Sequence, residues 1–376
     1  MNLVFCLYEY FPYGGLQRDF LKIACSAMDR GHTVRVLTMD WQGDKPAGLD
    51  VQLLPHSAIS NHRRCLKFNR AVEKLFLQLN ADIIIGFNKM SGLDLYFAAD
   101  SCYRARKACS RFTSRLMPRY RTYVDFERAV FAPESKTEIL LLAPQEKSKF
   151  IACYGTQEER FHLLPPGVSR DHFRPANALK IRDELRKELG LLSENIMLLM
   201  VGSAFQTKGV DRTLRAMARL PEKLRARVKL YVIGKGKIGS FRGIAKKMGL
   251  AKQVYFLGGR DDIPRYMLAA DLLLHPARTE AAGNALIEAM AAGLPVLVTE
   301  NCGYAFHVKD ANAGRLIPMP FEQAALDQAL LDMLNGSELQ TLGENGAQYA
   351  ARADMSGLHE HAVDIIEEIA ARKALR

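Results

Sequence analysis

One pattern constrains this chain more than any other: an apolar strand runs through a short loop into a helix and on to a second strand, and the series starts twice. Leu3-Val4-Phe5-Cys6-Leu7 opens a buried strand over 3–10. The loop Phe11-Pro12-Tyr13-Gly14-Gly15 follows, then a helix from Leu16 to Arg30 closed by Gly31, then the strand Val34-Arg35-Val36-Leu37. Such a β–loop–α–β unit begins a doubly wound parallel sheet. Further strands are predicted at 51–55, 83–87, 94–98, 138–143 and 161–164, with helices near 63–79, 104–131 and 145–153. The Pro- and charge-rich stretch from Pro165 to Pro175 interrupts the series and reads as a hinge. A second βα series starts with Ile196-Met197-Leu198-Leu199-Met200-Val201-Gly202. The expected fold is α/β, with two Rossmann-like domains at 1–166 and 167–355, and 376 residues is a length that suits two domains.

Composition narrows the function classes. No apolar run reaches the roughly 18 residues of a membrane span, and the first strand begins too early for a leader peptide. The seven cysteines are scattered, without a Cys-x-x-Cys spacing. That predicts a reducing cytoplasm, with neither a disulfide framework nor a zinc site. His359 and His361 form the one close histidine pair, and two residues apart on a helix they do not share a face. No metal is expected.

The formal charge of +11 calls for nucleic acid, anionic lipid or a phosphorylated substrate. It concentrates in 103–132, where Arg104, Arg106, Lys107, Arg111, Arg115, Arg119, Arg121 and Arg128 alternate with Phe112, Leu116, Met117, Tyr120, Tyr123, Phe126 and Phe131. Only Asp125 and Glu127 oppose them. A basic, aromatic, amphipathic segment suits an anionic membrane surface. It also fits nucleic acid or a solvated helix with an ordinary core face. The excess of eight basic over two acidic residues favours the membrane reading over a solvated helix. Pro118 should split the segment into two helices.

The candidate site centres on Thr279-Glu280-Ala281-Ala282-Gly283-Asn284-Ala285-Leu286-Ile287-Glu288. The strand Leu272-Leu273-Leu274-His275 leads into it, and Gly293-Leu294-Pro295 ends the helix that follows. Glu280 should sit in the turn before the helix and Glu288 inside it, and eight residues at about 1.5 Å rise place them roughly 12 Å apart. That is too far for a carboxylate pair acting on one bond, where about 5–9.5 Å is expected. It suits two carboxylates gripping the ends of one elongated ligand, with the amides of Ala281, Ala282, Gly283 and Asn284 offering an anion site between them. Polyol, diphosphate, polyol describes a nucleotide sugar. The plainer reading is two solvated charges flanking a buried helix.

Other candidates stand at strand ends, where open α/β sheets hold ligands. Lys208 follows the strand 196–202 beside a helix start, well placed for a phosphate. Gly14 and Gly15 offer backbone amides before the first helix, or else simply serve a tight turn. Asp19 lies one turn into that helix, and Asp100 ends the apolar stretch Tyr96-Phe97-Ala98-Ala99, where it could equally be an N-cap. Arg170 lies in the hinge. Gly234-Lys235-Gly236-Lys237-Ile238-Gly239 matches a dinucleotide fingerprint, with Asp261 about twenty residues on, and supports a rival NAD-dependent oxidoreductase. Its position deep in the second half and the exposed character of its lysines count against it.

At Glu280, seven residues, Glu288, and at Pro166-Gly167-Val168, the chain resembles the retaining glycosyltransferases of family 4. Phe11 to Phe20, Gly86-Phe87-Asn88-Lys89-Met90, Phe97 to Asp100 and His275-Pro276-Ala277 look like the lipopolysaccharide core glucosyltransferases within it. The resemblance covers nearly the whole chain. It implies a GT-B fold, with the last helix in 356–376 crossing back to complete the first, acceptor-binding domain and with the site in the cleft between domains. It implies transfer from a UDP-hexose to an inner-core heptose, α1,3-linked, on the cytoplasmic face of the inner membrane and without a metal. UDP-galactose and a UDP-N-acetylhexosamine remain alternative donors. It gives Glu280 the donor sugar, Glu288 the ribose and Arg260 the base pocket, and leaves Asp19 and Asp100 to act on the acceptor. Many members carry a second positive residue beside the lysine, where this chain has Thr207.

Overall fold

Continuous apolar runs make strands buried on both faces, and the sheets they form are parallel. The computed structural model describes the chain apart from Tyr13, Pro55, His56, Leu77, residues 108–115 and Arg376. It divides into two units, Met1–Gly167 with Gly357–Arg376, and Val168–Ser356.

The first unit runs β1 (Asn2–Tyr10), α1 (Gly15–Asp29), β2 (Thr33–Trp41), β3 (Asp50–Leu53), α2 (Asn61–Phe76), β4 (Ile83–Gly86), β5 (Leu95–Ala98), α3 (Tyr103–Arg106), α4 (Pro118–Phe131), β6 (Glu138–Leu141), α5 (Pro144–Tyr154) and β7 (Phe161–Leu163). Its sheet is ordered β3-β2-β1-β4-β5-β6-β7. The central β1 pairs in parallel with both neighbours, Leu3 lying opposite Val34 on one side and Ile83 on the other. Alternate residues of β1 supply two cores. Val4 and Cys6 pack with Phe68, Phe131 and Phe150. Phe5 packs against Phe20 and Phe87, with ring centroids 6.0 and 5.5 Å away.

The second unit runs α6 (Ala178–Glu188), β8 (Ile196–Val201), α7 (Phe205–Lys208), α8 (Val210–Arg219), α9 (Glu222–Arg227), β9 (Val228–Ile233), α10 (Ile238–Lys247), β10 (Val254–Gly258), α11 (Ile263–Ala269), β11 (Leu272–His275), α12 (Asn284–Ala292), β12 (Val296–Thr299), α13 (Ala305–Asp310), β13 (Gly314–Ile317), α14 (Gln323–Asn335) and α15 (Leu339–Arg352). Its sheet is ordered β10-β9-β8-β11-β12-β13 and is parallel throughout. Leu198, Met200, Leu230, Val232, Leu272 and Leu274 form the core with Leu214 and Met217 of α8.

The terminal helix, α16 (Leu358–Ala374), belongs to the first unit. Ala362, Val363, Ile366 and Ile369 are buried, and its acidic edge meets the end of α1 and the turn after it. Arg30 reaches Glu360 and Asp364 at 2.7 Å each, and His32 reaches Glu367 at 2.7 Å. Pro118 stands at the first position of α4, where its missing N–H costs nothing, so the predicted split falls where the ring geometry favours a helix start.

Candidate active site

The second unit gathers three of its polar side chains at the carboxyl ends of β8 and β11. Lys208 Nζ donates to Glu280 Oε2, and His275 Nε2 donates to the same oxygen at 3.2 Å. His275 is fully buried at the end of β11. Burial by itself would raise the Glu280 carboxyl. The hydrogen bond from His275 and the charge of Lys208 more than reverse that and hold it at about 2. Burial also lowers His275, keeping the ring neutral, although the Glu280 hydrogen bond pulls the other way.

The backbone is shaped for this contact. Gly202 has φ of +140°, and a Cβ there would stand 2.7 Å from Lys208 Cε, so the lysine stem lies across the bare glycine. Gly209, at φ +76°, brings the start of α8 so close to β11 that a Cβ would meet Pro276 O at 2.1 Å. Arg278 ties the two loops together, through its backbone N–H to Thr207 O at 2.8 Å and its guanidinium to Asp211 at 2.8 and 2.9 Å. Arg212 donates to Pro276 O at 3.0 Å. Glu280 itself bridges in parallel to Cys302, and Gly303 N donates to Glu280 O at 3.2 Å.

The residues singled out from the sequence fall out differently. Glu280 and Lys208 were assigned separate ligand groups, yet they are each other's partners here. Glu288 is buried on α12, so the picture of two solvated charges is wrong. The anion site must also be redrawn. Gly283, at φ +101°, is the N-cap of α12, and the helix starts at Asn284. Ala281 and Ala282 lie in the preceding bend, where Ala282 O accepts from Tyr304 N at 2.7 Å. The helix N-terminus therefore begins at Asn284, because the left-handed glycine turns the chain first. Arg260 is bidentate to Asp262, at 2.6 and 2.9 Å, and lies over the Tyr266 ring. Arg170 is exposed in a single 3-10 turn, Arg170–His172.

The glycines of the supposed dinucleotide fingerprint have a packing explanation. A Cβ on Gly234 would meet Gly202 O at 2.3 Å, and one on Gly236 would meet the Phe205 ring at 2.7 Å. Lys235 and Lys237 are exposed.

In the first unit, Gly14 caps α1 with an ordinary φ of −92°, so its need for glycine is crowding: a Cβ would overlap Gln17 and Phe11. Gly15 has open space where its Cβ would be. Asp19 is buried and accepts from His359 Nε2 of α16 at 3.2 Å. Asp100 is exposed, just past β5.

The basic segment is partly a core element. Phe126 and Phe131 are buried and unavailable to a surface. Glu127, counted among its charges, is wholly buried and accepts from Lys89 Nζ (2.6 Å), Tyr103 N (2.6 Å), Arg104 N (3.0 Å) and Tyr154 Oη (2.7 Å). Arg104, Arg106 and Arg119 lie over Tyr154, Tyr103 and Tyr123. Leu116 and Met117 remain exposed at 56% and 59%, beside Arg119 and Arg121. Arg111, Phe112 and Arg115 lie outside the described residues, as does Tyr13 of the first loop.

His275 and His359 were noticed in the sequence but given no role at the site, and Cys302 and the Arg278–Asp211 pair were not singled out. His275 alone carried a signal, a polar residue closing an apolar strand five residues before Glu280.

Residues 181–349 match the family model for glycosyl transferases group 1. The chain is 44% identical over 368 residues to the lipopolysaccharide glucosyltransferase WaaG of Escherichia coli (strain K12), covering 97% of this chain and 98% of that one. The chain belongs to the WaaG branch of the group 1 glycosyltransferases. It is thus an enzyme that transfers a glycosyl group, and the oxidoreductase alternative falls away. The crystal structure of WaaG superimposes with a TM-score of 0.92 at 44% identity, covering 97% of this chain and 99% of that one. A sucrose-phosphate synthase from Thermosynechococcus elongatus shares the fold, with a TM-score of 0.79 at 19% identity over 99% of each chain. The fold is GT-B, two Rossmann-like domains of parallel sheet. Among the described residues, no helix is long and apolar enough to cross a membrane.

Proposed function

We propose that the chain is a retaining hexosyltransferase of lipopolysaccharide core assembly, moving glucose from UDP-glucose to an inner-core heptose in α1,3 linkage. The observation that carries the reading is the Lys208–Glu280–His275 cluster, set at strand ends in a chain 44% identical to a lipopolysaccharide glucosyltransferase. Glu280, kept ionised by its neighbours, accepts hydrogen bonds from the hydroxyls of the donor sugar. Glu288 holds the ribose and Arg260 borders the base. Lys208, the amides from Gly283 and Asn284 onward, Gly14, Gly15 and Arg170 stabilise the departing diphosphate.

The heptose hydroxyl attacks the anomeric carbon on the face from which the diphosphate leaves. One C–O bond forms as the bond to the diphosphate breaks, and configuration is retained. Asp19 and Asp100 orient the hydroxyl or take its proton. His359 holds Oδ1 of Asp19, and the task falls to Oδ2. No step requires a metal.

The acceptor is membrane-anchored, so the enzyme works peripherally on the cytoplasmic face of the inner membrane. Leu116 and Met117 with Arg119 and Arg121 form the part of 103–132 suited to an anionic leaflet.

The test is UDP release from a panel of UDP-hexoses and UDP-N-acetylhexosamines, with and without heptose-terminated lipopolysaccharide. Acceptor-dependent release with UDP-glucose is expected, and Glu280→Ala and Lys208→Ala should lose it while remaining folded. Wild-type rates in both variants would sink the assignment.

A further inference from the structure

A cavity in the first unit lies beside the Gly14–Gly15 loop, and none of its lining residues has been given a role above. It measures about 250 Å³ and is lined by Tyr8, Glu9, Gln17, Arg64, Asn88 and Tyr123, among others. It opens where β1 and β4 end. In a sheet ordered β3-β2-β1-β4, the direction of winding reverses between β1 and β4, and open α/β sheets hold ligands outside the strand ends at such a switch point. The crevice is pinned across the two strands, because Tyr8 N donates to Asn88 Oδ1 at 2.7 Å. That bond uses the carbonyl of Asn88 and leaves its NH2 as a donor for a ligand.

The lining specifies the ligand's chemistry. Its charged residues are Glu9 and Arg64, and they pair at 2.8 Å. The cavity is therefore neutral in a chain of formal charge +11, which disfavours an anion. Carboxamides from Gln17, Asn61 and Asn88 disfavour an apolar ligand. A carboxylate–guanidinium pair supplies acceptors and a fork of donors side by side, which suits neighbouring hydroxyls. Tyr8, Phe11 and Tyr123 add aromatic surface for ring C–H groups. The volume falls below the roughly 300–1,000 Å³ of pockets for drug-sized ligands, so it admits one sugar ring and not a nucleotide.

We infer that this cavity is the subsite for an uncharged sugar ring of the acceptor, and that the Glu9–Arg64 pair sets acceptor specificity. The inference rests on the transferase reading above. The pair is partly exposed, with side-chain accessibilities of 42% and 29%. Breaking it should cost the fold little.

The experiment is steady-state transfer with heptose-terminated lipopolysaccharide, varying each substrate in turn. Arg64→Met and Glu9→Gln should each raise the acceptor KM tenfold or more, with the donor KM as internal reference. An acceptor KM within twofold of wild type in both variants overturns the inference, as does a donor KM that rises by the same factor. If the wild-type chain transfers to no heptose acceptor, the transferase reading fails instead. Saturation-transfer NMR of methyl heptoside with the full chain then reads the cavity directly. A signal lost in Arg64→Met supports the subsite, and a signal absent or unchanged in both proteins removes it.

Discussion

Glu280→Gln should bind UDP more tightly than wild type while losing transfer. In the free protein, His275 and Lys208 together bring the Glu280 carboxyl from an ordinary 4.5 to about 2, against the opposing effect of burial. At about 1.4 kcal/mol per unit, this is on the order of 3 kcal/mol in favour of the ionised form. Burial opposes the shift, so the two partners together supply at least this much, and an even division gives the Lys208 contact at least roughly 1.5 kcal/mol. A diphosphate that recruits Lys208 must displace that contact and sit near a carboxylate. Glutamine removes the competing charge and leaves Lys208 without a counter-charge until ligand arrives. The UDP dissociation constant should then fall about tenfold, the equivalent of 1.4 kcal/mol. Transfer should fall about 10²–10³-fold, as when a preorganised polar contact to the reacting centre is lost. Isothermal titration with UDP at neutral pH, beside UDP release with donor and acceptor, measures both. Unchanged or weaker UDP binding by a folded Glu280→Gln protein would refute the reasoning.

Burial lowers His307 from 6.5 to about 4, and Nδ1 lies 3.0 Å from Tyr349 Oη. The unfolded chain takes up this proton first, so the contribution of His307 to stability is complete above about pH 6.5 and is lost as pH falls towards 4. His307→Phe should flatten that limb of a urea-midpoint profile, and parallel profiles would count against it. Glu127→Ala strands Lys89, whose side chain is 11% exposed, and should cost roughly 3–5 kcal/mol in urea denaturation. A loss below about 1 kcal/mol would mean that water replaces the carboxylate. Gly209→Ala must place a Cβ 2.1 Å from Pro276 O at positive φ. It should lose about 2 kcal/mol or more, and a melting temperature equal to wild type would show that the loop relaxes freely.

The two βα series were legible because burial on both faces writes itself as unbroken apolar runs. The strands expected at 161–164 and 196–202 span Phe161–Leu163 and Ile196–Val201. Boundaries slipped where no apolar signal marks them: β2 continues through the polar Asp40 to Trp41. In 103–132 the direction of Phe126 and Phe131 was not legible. A 3.6-residue period says that a helix has an apolar face, but not whether membrane or protein covers it. Here protein covers Phe126 and Phe131.

For the site, chain-local pattern was enough to place Lys208 after β8, His275 at the end of β11, Glu280 beyond it and Asp19 in the first helix. Those positions follow from chain-local patterns of apolar runs and glycines. Which of them meet was set by packing between distant segments. Lys208 and Glu280 are 72 residues apart, and Asp19 and His359 are 340 apart. Their contacts depend on β8 lying beside β11 and on the last helix packing against α1. Sheet order and helix docking arise from long-range burial, which a local pattern permits in several arrangements and packing resolves to one.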